Sequence, residues 1–235
     1  MKKTMKKIGV AVSLLACMGL VAGCGGGNDE KQQVVTIGIN QFADHGSLDN
    51  CREGFIEGLR QAGFEEGVNV EFEYSNANAD PGISNQIAGS HAANDVDLMC
   101  AIATPSAQAS YNAAMDKEIP VIYTAVSDPE AAGLAGEGMK VTGTSDLLPL
   151  DEQIAMIRQL MPEAKTIGVL YCTSEANSIS NIARLEQIVP EYGFTLVTKG
   201  VSAPADIPMA TDSILTQVDC LTNLTDNTIV NSLAV

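Results

Sequence analysis

Short polar segments recur along this chain, and each one follows a run of apolar residues. Their hydroxyl, amide and single carboxylate groups can hydrogen-bond a small polar molecule. A carboxylate pairs with an ammonium group, whereas hydroxyls, amides and free backbone N–H groups hold a carboxylate. Together these abilities indicate recognition of an amino-acid zwitterion. The candidate substrate contacts are Thr104, Ser106, Thr124, Asp128, Ser145, Asp146, Glu175, Asn177, Asp226 and Asn227, with Thr124 and Asp146 the weaker candidates.

Specific roles follow from the neighbours of these residues. Pro105 stands at an expected first helical position, so the segment Thr104 to Ser106 would offer free N–H groups and a positive dipole end to a ligand carboxylate. Three carboxylates are alternatives for the ligand ammonium, namely Asp128, Glu175 and Asp226. Taken singly, each of these residues is more often a helix cap than a ligand contact. Six such segments on one rim favour a pocket.

Aromatic residues and histidines near these segments complete the expected site. Phe42, Tyr111 or Tyr123 would supply an apolar wall. His45 lies in a polar segment, where a ligand contact and a surface role are equal alternatives. His91 is expected to be a solvated helix residue.

The signatures of common enzyme classes do not occur in the sequence. There is no GxSxG elbow, HExxH motif, P-loop or GxGxxG turn, and segment 133–138 has its glycines in the wrong order. With two histidines and no Trp, paired carboxylates are the remaining route to catalysis. We therefore expect no catalytic residue, no metal and no cofactor.

The elements that must position these side chains alternate along the chain. Val- and Ile-rich runs predict strands buried on both faces at 34–39, 68–74, 98–103, 121–126, 141–142, 166–171, 195–201 and 218–224. Helices are predicted from Leu48 to Leu59, from Asp80-Pro81 to Ala93, and at 106–115, 150–160 and 176–189. This alternation is typical of an α/β fold with parallel sheets. Ligands of such sheets bind beyond the carboxyl ends of the strands, which is where the polar segments lie.

The pattern restarts near Lys165, where the run 165–170 resembles the run 34–39. We read this repeat as two Rossmann-like lobes, the first at 34–145 and the second at 146–235, with a crossing near 143–149. The second series offers fewer strands, so we expect a truncated second lobe.

The N-terminus carries the pattern of a bacterial lipoprotein signal. Four lysines lie in the first seven positions, and the apolar stretch 8–21 is too short for a comfortable membrane span. Val21-Ala22-Gly23-Cys24 then resembles a lipobox, which predicts a signal peptide at 1–23, a lipid on Cys24 and a flexible tether at 24–33. An alternative lipobox ends at Cys17 but leaves a shorter apolar stretch.

The net charge and the spacing of the cysteines argue against two kinds of function, nucleic-acid binding and a cysteine-based metal or redox site. The net charge is −16, and without the first seven residues nine basic residues face 29 acidic ones. Such a surface repels phosphate backbones, so nucleic acid is not an expected partner. The spacing of Cys51, Cys100, Cys172 and Cys220 contains no CxxC, which gives no support to a zinc or thioredoxin-like site.

An ordered set of motifs runs along the chain: Gly54-Phe55 with Gly58-Leu59, Ile102-Ala103-Thr104-Pro105, Thr124-Ala125-Val126-Ser127-Asp128-Pro129, Gly143-Thr144-Ser145-Asp146, Ile167-Gly168-Val169-Leu170-Tyr171, Glu175-Ala176-Asn177-Ser178 and Thr225-Asp226-Asn227-Thr228. As a set they resemble the ABC-transporter substrate-binding proteins of the tryptophan/tyrosine-binding type, which have the type I periplasmic-binding-protein fold. The resemblance implies an aromatic or hydrophobic amino acid held between two closing lobes, and delivery to an ABC permease with a cytoplasmic ATPase. Two departures are Gly46, where a proline commonly follows the histidine, and Cys51 in the first helix. We also expect the protein to be a monomer, anchored outside the cell by the lipid on Cys24.

Two alternatives stay open at the level of the sequence. The same fold can pass ligand occupancy to a signalling receptor instead of a permease. A surface hydrolase on an α/β scaffold is the other alternative, and it requires a nucleophile near His45.

Overall fold

The computed structural model of the chain describes residues 34–233, which form parallel sheets flanked by helices. The strands are β1 Val35–Gln41, β2 Val70–Asn76, β3 Leu98–Ile102, β4 Val121–Val126, β5 Val141–Ser145, β6 Thr166–Cys172, β7 Thr195–Val201 and β8 Cys220–Leu221. The helices are α1 Gly46–Gln61, α2 Pro81–Ala93, α3 Thr104–Ala114, α4 Leu150–Leu160, α5 Ala176–Ile188, α6 Ile207–Leu215 and α7 Asn227–Val230. The predicted α/β class with two parallel sheets is confirmed.

The predicted signal peptide, the lipid site Cys24 and the tether at 24–33 lie outside the described residues. Between residues 34 and 233, no helix combines the length and the apolar character that crossing a bilayer requires. The predictions for the N-terminal segment therefore stay predictions.

The first sheet has the strand order β2-β1-β3-β4-β5, and we call it with α1–α3 the first lobe. Successive side chains of β3 enter different cores, because strand side chains alternate between faces. Met99 and Ala101 pack in the cluster that includes Ala107 of α3. Cys100 and Ile102 pack in the cluster that includes residues of α1. Burial on both faces explains why these strands are apolar throughout.

The second sheet has the order β7-β6-β8 and, with α4–α7, forms what we call the second lobe. Segment 146–149 connects β5 to α4, whose Leu150 and Ile154 are fully buried in the second-lobe core. The predicted strand at 218–224 is wrong in length, since β8 covers only Cys220–Leu221. Helix α6 was not predicted, because Pro208 near its start and its short length weaken the helical pattern.

The repeated sequence run occupies equivalent places in the two lobes. Gly38 of β1 and Gly168 of β6 each allow a close approach: a Cβ would lie 2.6 Å from the His91 ring and from Leu221 Cδ2, respectively. Glycine is required here because any side chain would displace these neighbours. His91 is therefore only 3% exposed, and the expectation of a solvated His91 is wrong.

The same repeat extends to the strand starts. Asp97 Oδ2 accepts a hydrogen bond from the Thr36 N–H at 2.8 Å, and Asp219 Oδ2 accepts one from the Thr166 N–H at 2.9 Å. Each aspartate precedes the neighbouring strand of its sheet, β3 or β8, and fixes how that strand begins. The two lobes thus share one local design at their central strands.

Candidate functional site

A cavity of about 240 Å³ lies between the carboxyl ends of the first sheet and the segment that leads into α7. For comparison, an apolar cavity of about 150 Å³ is enough to hold benzene. The space therefore admits an aromatic ring together with further polar groups. The lining residues are His45, Ser47, Leu48, Cys51, Thr124, Ala125, Thr144, Ser145, Asp146, Leu224, Thr225, Asp226, Asn227 and Val230.

The first-lobe wall consists largely of short polar side chains at the ends of β4 and β5. The two strands approach closely at Gly143, where a Cβ would lie 2.0 Å from the Tyr123 carbonyl oxygen. The register of the pair shifts between Tyr123 and Val126, and residues at this irregularity, Thr124, Ala125, Thr144 and Ser145, line the cavity. Thr144 Oγ1 donates to Thr124 Oγ1 at 3.1 Å, which joins the two strand ends.

Asp146 follows β5 and is the accessible carboxylate of the cavity. Its residue is exposed, yet the protein atoms around the carboxyl raise its pKa above the ordinary value by partly removing it from water. Among the described residues that line the cavity, none is a lysine or an arginine. The wall is therefore suited to a cationic group, with Asp146 as its partner.

The second-lobe wall is held by a buried carboxylate, Asp226. Its Oδ2 accepts hydrogen bonds from the Cys172 N–H at 2.5 Å and the Ser178 hydroxyl at 2.6 Å. Its Oδ1 accepts from the Ile229 N–H at 2.8 Å, which caps the start of α7. Burial, followed by the nearby charge of Glu175, raises the pKa of Asp226 to about 6. Asp226 is fully buried, so its oxygens serve the lobe itself.

Glu175 organises the same segment from the start of α5. It accepts hydrogen bonds from the backbone N–H groups of Asn227 at 3.0 Å and Thr228 at 2.9 Å. The side chains of these two residues also donate to it, at 2.7 and 2.8 Å. Asn177 donates to the Thr225 carbonyl oxygen at 2.8 Å. Glu175 and Asn177 do not line the cavity, and they hold the segment that does.

Thr104 and Ser106, proposed from the sequence as a carboxylate site, are buried in the first lobe and are not among the residues that line the cavity. The Ser106 hydroxyl lies 3.0 Å from that of Ser84 and donates to Asn40 Oδ1 at 3.2 Å. This network ties α2 and α3 to β1. Thr104 Oγ1 has no hydrogen-bond partner among residues 34–233.

Asp128 connects the two lobes. Its carboxylate accepts a hydrogen bond from the Ala131 N–H at 2.9 Å and another from the Ser180 hydroxyl of α5. These two hydrogen bonds, with the backbone one first, lower the pKa of Asp128. The neighbouring Ser127 hydroxyl lies 2.8 Å from that of Thr225 in the second lobe. The segment after β4 therefore contacts the second lobe at two points.

The structure thus brings five of the ten predicted contacts to one cavity, namely Thr124, Ser145, Asp146, Asp226 and Asn227. None of the three predicted aromatic side chains lines it: Phe42 and Tyr123 are buried in the first-lobe cores, and Tyr111 packs against one of these cores. Aliphatic side chains form the apolar wall instead: Leu48, Leu224 and Val230.

Several lining residues were missed in the sequence, although their segments were noticed. Thr144 and Thr225 stand next to predicted contacts in the same polar segments. Ser47, Leu48 and Cys51 belong to the first turns of α1. Their only signal was the position of that helix directly after the polar end of β1, where the rule for parallel sheets places ligands.

Comparison with known proteins gives a consistent result. The sequence model of a family described as ABC transporter substrate binding protein matches residues 36–235. A tyrosine-binding protein of Clostridioides difficile (strain R20291) is 40% identical over 211 residues, which cover 88% of this chain and 60% of the relative. The chain therefore spans about 60% of the length of the curated relatives it matches.

Two solved structures bear on the arrangement of the lobes. An ABC domain from Streptococcus pneumonia in complex with L-Trp is 32% identical, with a TM-score of 0.82 over 86% of this chain and 69% of its own. A ligand-free, open substrate-binding protein with adhesive properties from Clostridium difficile is 39% identical, with a TM-score of 0.58 over 85% of this chain and 68% of its own. The chain is thus structurally more similar to the L-Trp complex than to the open, ligand-free structure, despite the lower identity to the complex.

Proposed function

The chain belongs to the ABC transporter substrate-binding protein family, and we propose that it is the solute-binding component of an ABC importer for an aromatic amino acid. The family is one of solute-binding proteins and not of enzymes. The observation that carries the proposal is a cavity lined by both lobes, with one accessible carboxylate and an aliphatic wall. A sheltered space of this composition suits a small solute with both polar and apolar groups.

Each part of an aromatic amino acid has a counterpart in the cavity. The ammonium group pairs with Asp146, which follows β5. The hydroxyls of Thr124 and Thr225 hydrogen-bond the carboxylate. The ring packs against the aliphatic side chains Leu48, Leu224 and Val230. The relatives named for tyrosine binding and solved with L-Trp support this ligand class.

Transport follows from closure of the lobes on the ligand. A solute that contacts both lobes favours the closed arrangement by the contacts that it makes only there. The hydrogen bonds of Ser127 with Thr225 and of Asp128 with Ser180 add direct contacts between the lobes. The closed protein then docks on a permease with a cytoplasmic ATPase.

We further propose that the protein acts outside the cytoplasm, held at the membrane by a lipid on Cys24. The support is the basic start, the short apolar stretch and the small residues before Cys24. In a bacterial host, Cys24→Ala should abolish incorporation of a labelled fatty acid and should remove the protein from the lipid-anchored membrane fraction. Cys17→Ala is the matched control, and labelling that survives Cys24→Ala would refute the anchor.

The ligand class is tested by calorimetric titration of the purified chain with L-Trp, L-Tyr and L-Phe, with L-glutamate as the comparison ligand. Val230→Trp fills the cavity and should abolish binding of the aromatic amino acids. Val68→Trp makes the same change at a 56% exposed position away from the cavity and should leave binding intact. Absence of binding by all three aromatic amino acids, or binding unaffected by Val230→Trp, would refute the proposal.

A further inference from the structure

His45 is a lining residue that the proposed ligand contacts do not use. It precedes α1 at the N-cap position, but its side chain makes no capping hydrogen bond. Its Nε2 atom is buried and has no hydrogen-bond partner within residues 34–233. Buried polar atoms in folded proteins are nearly always hydrogen-bonded, and leaving one unpaired is costly. Because His45 is a lining residue of the cavity, the unpaired nitrogen of its ring indicates where a ligand group completes the structure.

The charge state of His45 limits which ligand group fits. Burial lowers the pKa of the imidazole below its ordinary value, although the carboxylates of Asp49 and Asp44 oppose the shift. The ring is accordingly neutral at neutral pH, with one N–H donor and one acceptor nitrogen. A neutral imidazole suits a neutral hydrogen-bonding group, such as a phenol, better than it suits an ammonium group.

The strand order separates His45 from Asp146. His45 follows β1 and Asp146 follows β5, and the order β1-β3-β4-β5 places three strand spacings between them. Neighbouring strands lie about 4.8 Å apart, so these strand ends are separated by about 14 Å. The ammonium and carboxylate of an amino acid share one carbon and remain together near Asp146. The far end of its side chain then extends toward His45.

We propose that His45 is a specificity-determining residue, which hydrogen-bonds the phenolic hydroxyl of a tyrosine-like ligand through Nε2. This inference rests on the proposed function, because it takes an amino acid held at Asp146 as its starting point. Tyrosine satisfies the buried nitrogen, whereas phenylalanine of nearly the same shape leaves it unpaired. A site built around such a hydrogen bond rejects the ligand that lacks it. We expect L-Tyr to bind about 10- to 100-fold more tightly than L-Phe.

The test is calorimetric titration of the native chain and three variants with L-Tyr and L-Phe. His45→Phe keeps a planar ring without the hydrogen bond, so the affinity for L-Tyr should fall about 10- to 100-fold while that for L-Phe stays unchanged. His45→Gln keeps a side-chain hydrogen-bonding group and should retain part of the preference for L-Tyr over L-Phe. Ser47→Ala is the matched control on the same wall, and it should leave the ratio of the two affinities unchanged.

The measured affinities for L-Tyr and L-Phe test the role of His45 separately from the proposed function. The role of His45 is supported if the native chain prefers L-Tyr, His45→Phe abolishes this preference and His45→Gln retains part of it. Equal native affinities, or an equal loss of both ligands in His45→Phe, would overturn this role and leave the proposed function intact. Failure of the native chain to bind any aromatic amino acid would overturn both. If His45→Phe does not fold, His45→Gln decides by whether the ratio of the two affinities falls.

Discussion

The two walls of the cavity use similar polar residues in different ways. In the first lobe, Thr144, Ser145 and Asp146 are exposed. Each of the two hydroxyls donates one hydrogen bond within the lobe, whereas the Asp146 carboxylate stays available to a solute. In the second lobe, Glu175 and Asp226 are buried, and several hydrogen bonds direct them into the lobe itself. A carboxylate at the end of a strand can thus be available to bind a ligand or can stabilise a loop. Its burial and its hydrogen-bond partners decide which.

The two buried acids of the second lobe explain why a short helix can form one side of the cavity. Helix α7 has four residues, too few to be stable by itself. The oxygens of Glu175 and Asp226 satisfy the N–H groups at its start, which would otherwise lack partners. The two buried acids therefore hold the second-lobe wall of the cavity in place.

The largest expected effect is the loss of the buried acid Glu175. Glu175→Ala leaves the N–H groups of Asn227 and Thr228 and both their side chains without an acceptor. Because each buried donor left unpaired costs about 1–3 kcal/mol, we expect the free energy of unfolding to fall by at least ~3 kcal/mol. Urea unfolding followed by circular dichroism measures the change.

The matched control is Asp206→Ala in the same lobe. Asp206 accepts hydrogen bonds from the Ser202 and Ala203 N–H groups, both at 3.1 Å, but in an exposed setting. Water replaces the lost acceptor there, so a fall of about 1 kcal/mol or less is expected. Equal losses in Glu175→Ala and Asp206→Ala would contradict the contrast between buried and exposed acids.

The exposed acid of the first wall should show the opposite behaviour. Asp146→Asn removes the proposed partner of the ligand ammonium, so the Kd for an aromatic amino acid should rise tenfold or more, because a hydrogen bond to a charged group contributes about 1.5–3 kcal/mol. The free energy of unfolding should stay the same or rise slightly, since burial already disfavours this charge.

Asp44→Asn is the control for Asp146→Asn, because Asp44 is exposed after β1 and does not line the cavity. It should change neither the Kd nor the stability. A lower stability of Asp146→Asn with an unchanged Kd would assign this residue the structural role that we give to the second-lobe acids.

The two lobes should also respond to pH with opposite signs. The folded-state pKa of Asp226 is raised from 3.8 to about 6, so its contribution is full below the ordinary pKa and is lost as the pH rises through about 6. Burial lowers the folded-state pKa of His91 below 6.5, so its contribution is present above 6.5 and is lost as the pH falls through the lowered value. Acidification from pH 7 to pH 5 should therefore stabilise the second lobe by about 1 kcal/mol and weaken the first.

Hydrogen exchange of core amides in β3 and β6, corrected for intrinsic rates, measures each lobe separately. Asp226→Asn should remove the pH response of β6, and His91→Leu should remove that of β3. Protection that changes with the same sign in both strands would show that other groups control the pH dependence.

The sequence predicted the positions of the strands better than it predicted the roles of the polar residues that follow them. Val- and Ile-rich runs located all eight strands that the structure describes between residues 34 and 233, because burial on both faces requires apolar side chains whatever the partners are. The repeat at Gly38 and Gly168 correctly indicated two similar sheets. His91 was misplaced because its burial depends on the space above Gly38, which no local pattern records.

The candidate site could be predicted only in part. The rule that ligands bind at the carboxyl ends of strands led to Thr124, Ser145 and Asp146. It also led to Glu175, which hydrogen-bonds residues more than fifty positions away. Whether such a residue faces a cavity or a distant loop depends on tertiary contacts. A single sequence does not contain these contacts in a readable form.

The smallest expected effect concerns Asp128, which joins the lobes instead of belonging to one wall. Ser180→Ala removes the donor to its carboxylate and leaves the Ala131 N–H bond in place. The site is only partly buried, so the loss should be about 0.5 kcal/mol and should appear as a two- to threefold rise in the Kd. The free energy of unfolding should hardly change, because the hydrogen bond between Asp128 and Ser180 exists only when the lobes are together. The matched control is Ser213→Ala on α6 of the same lobe. If Ser180→Ala instead lowers stability and leaves the Kd unchanged, this contact stabilises the fold and does not assist closure.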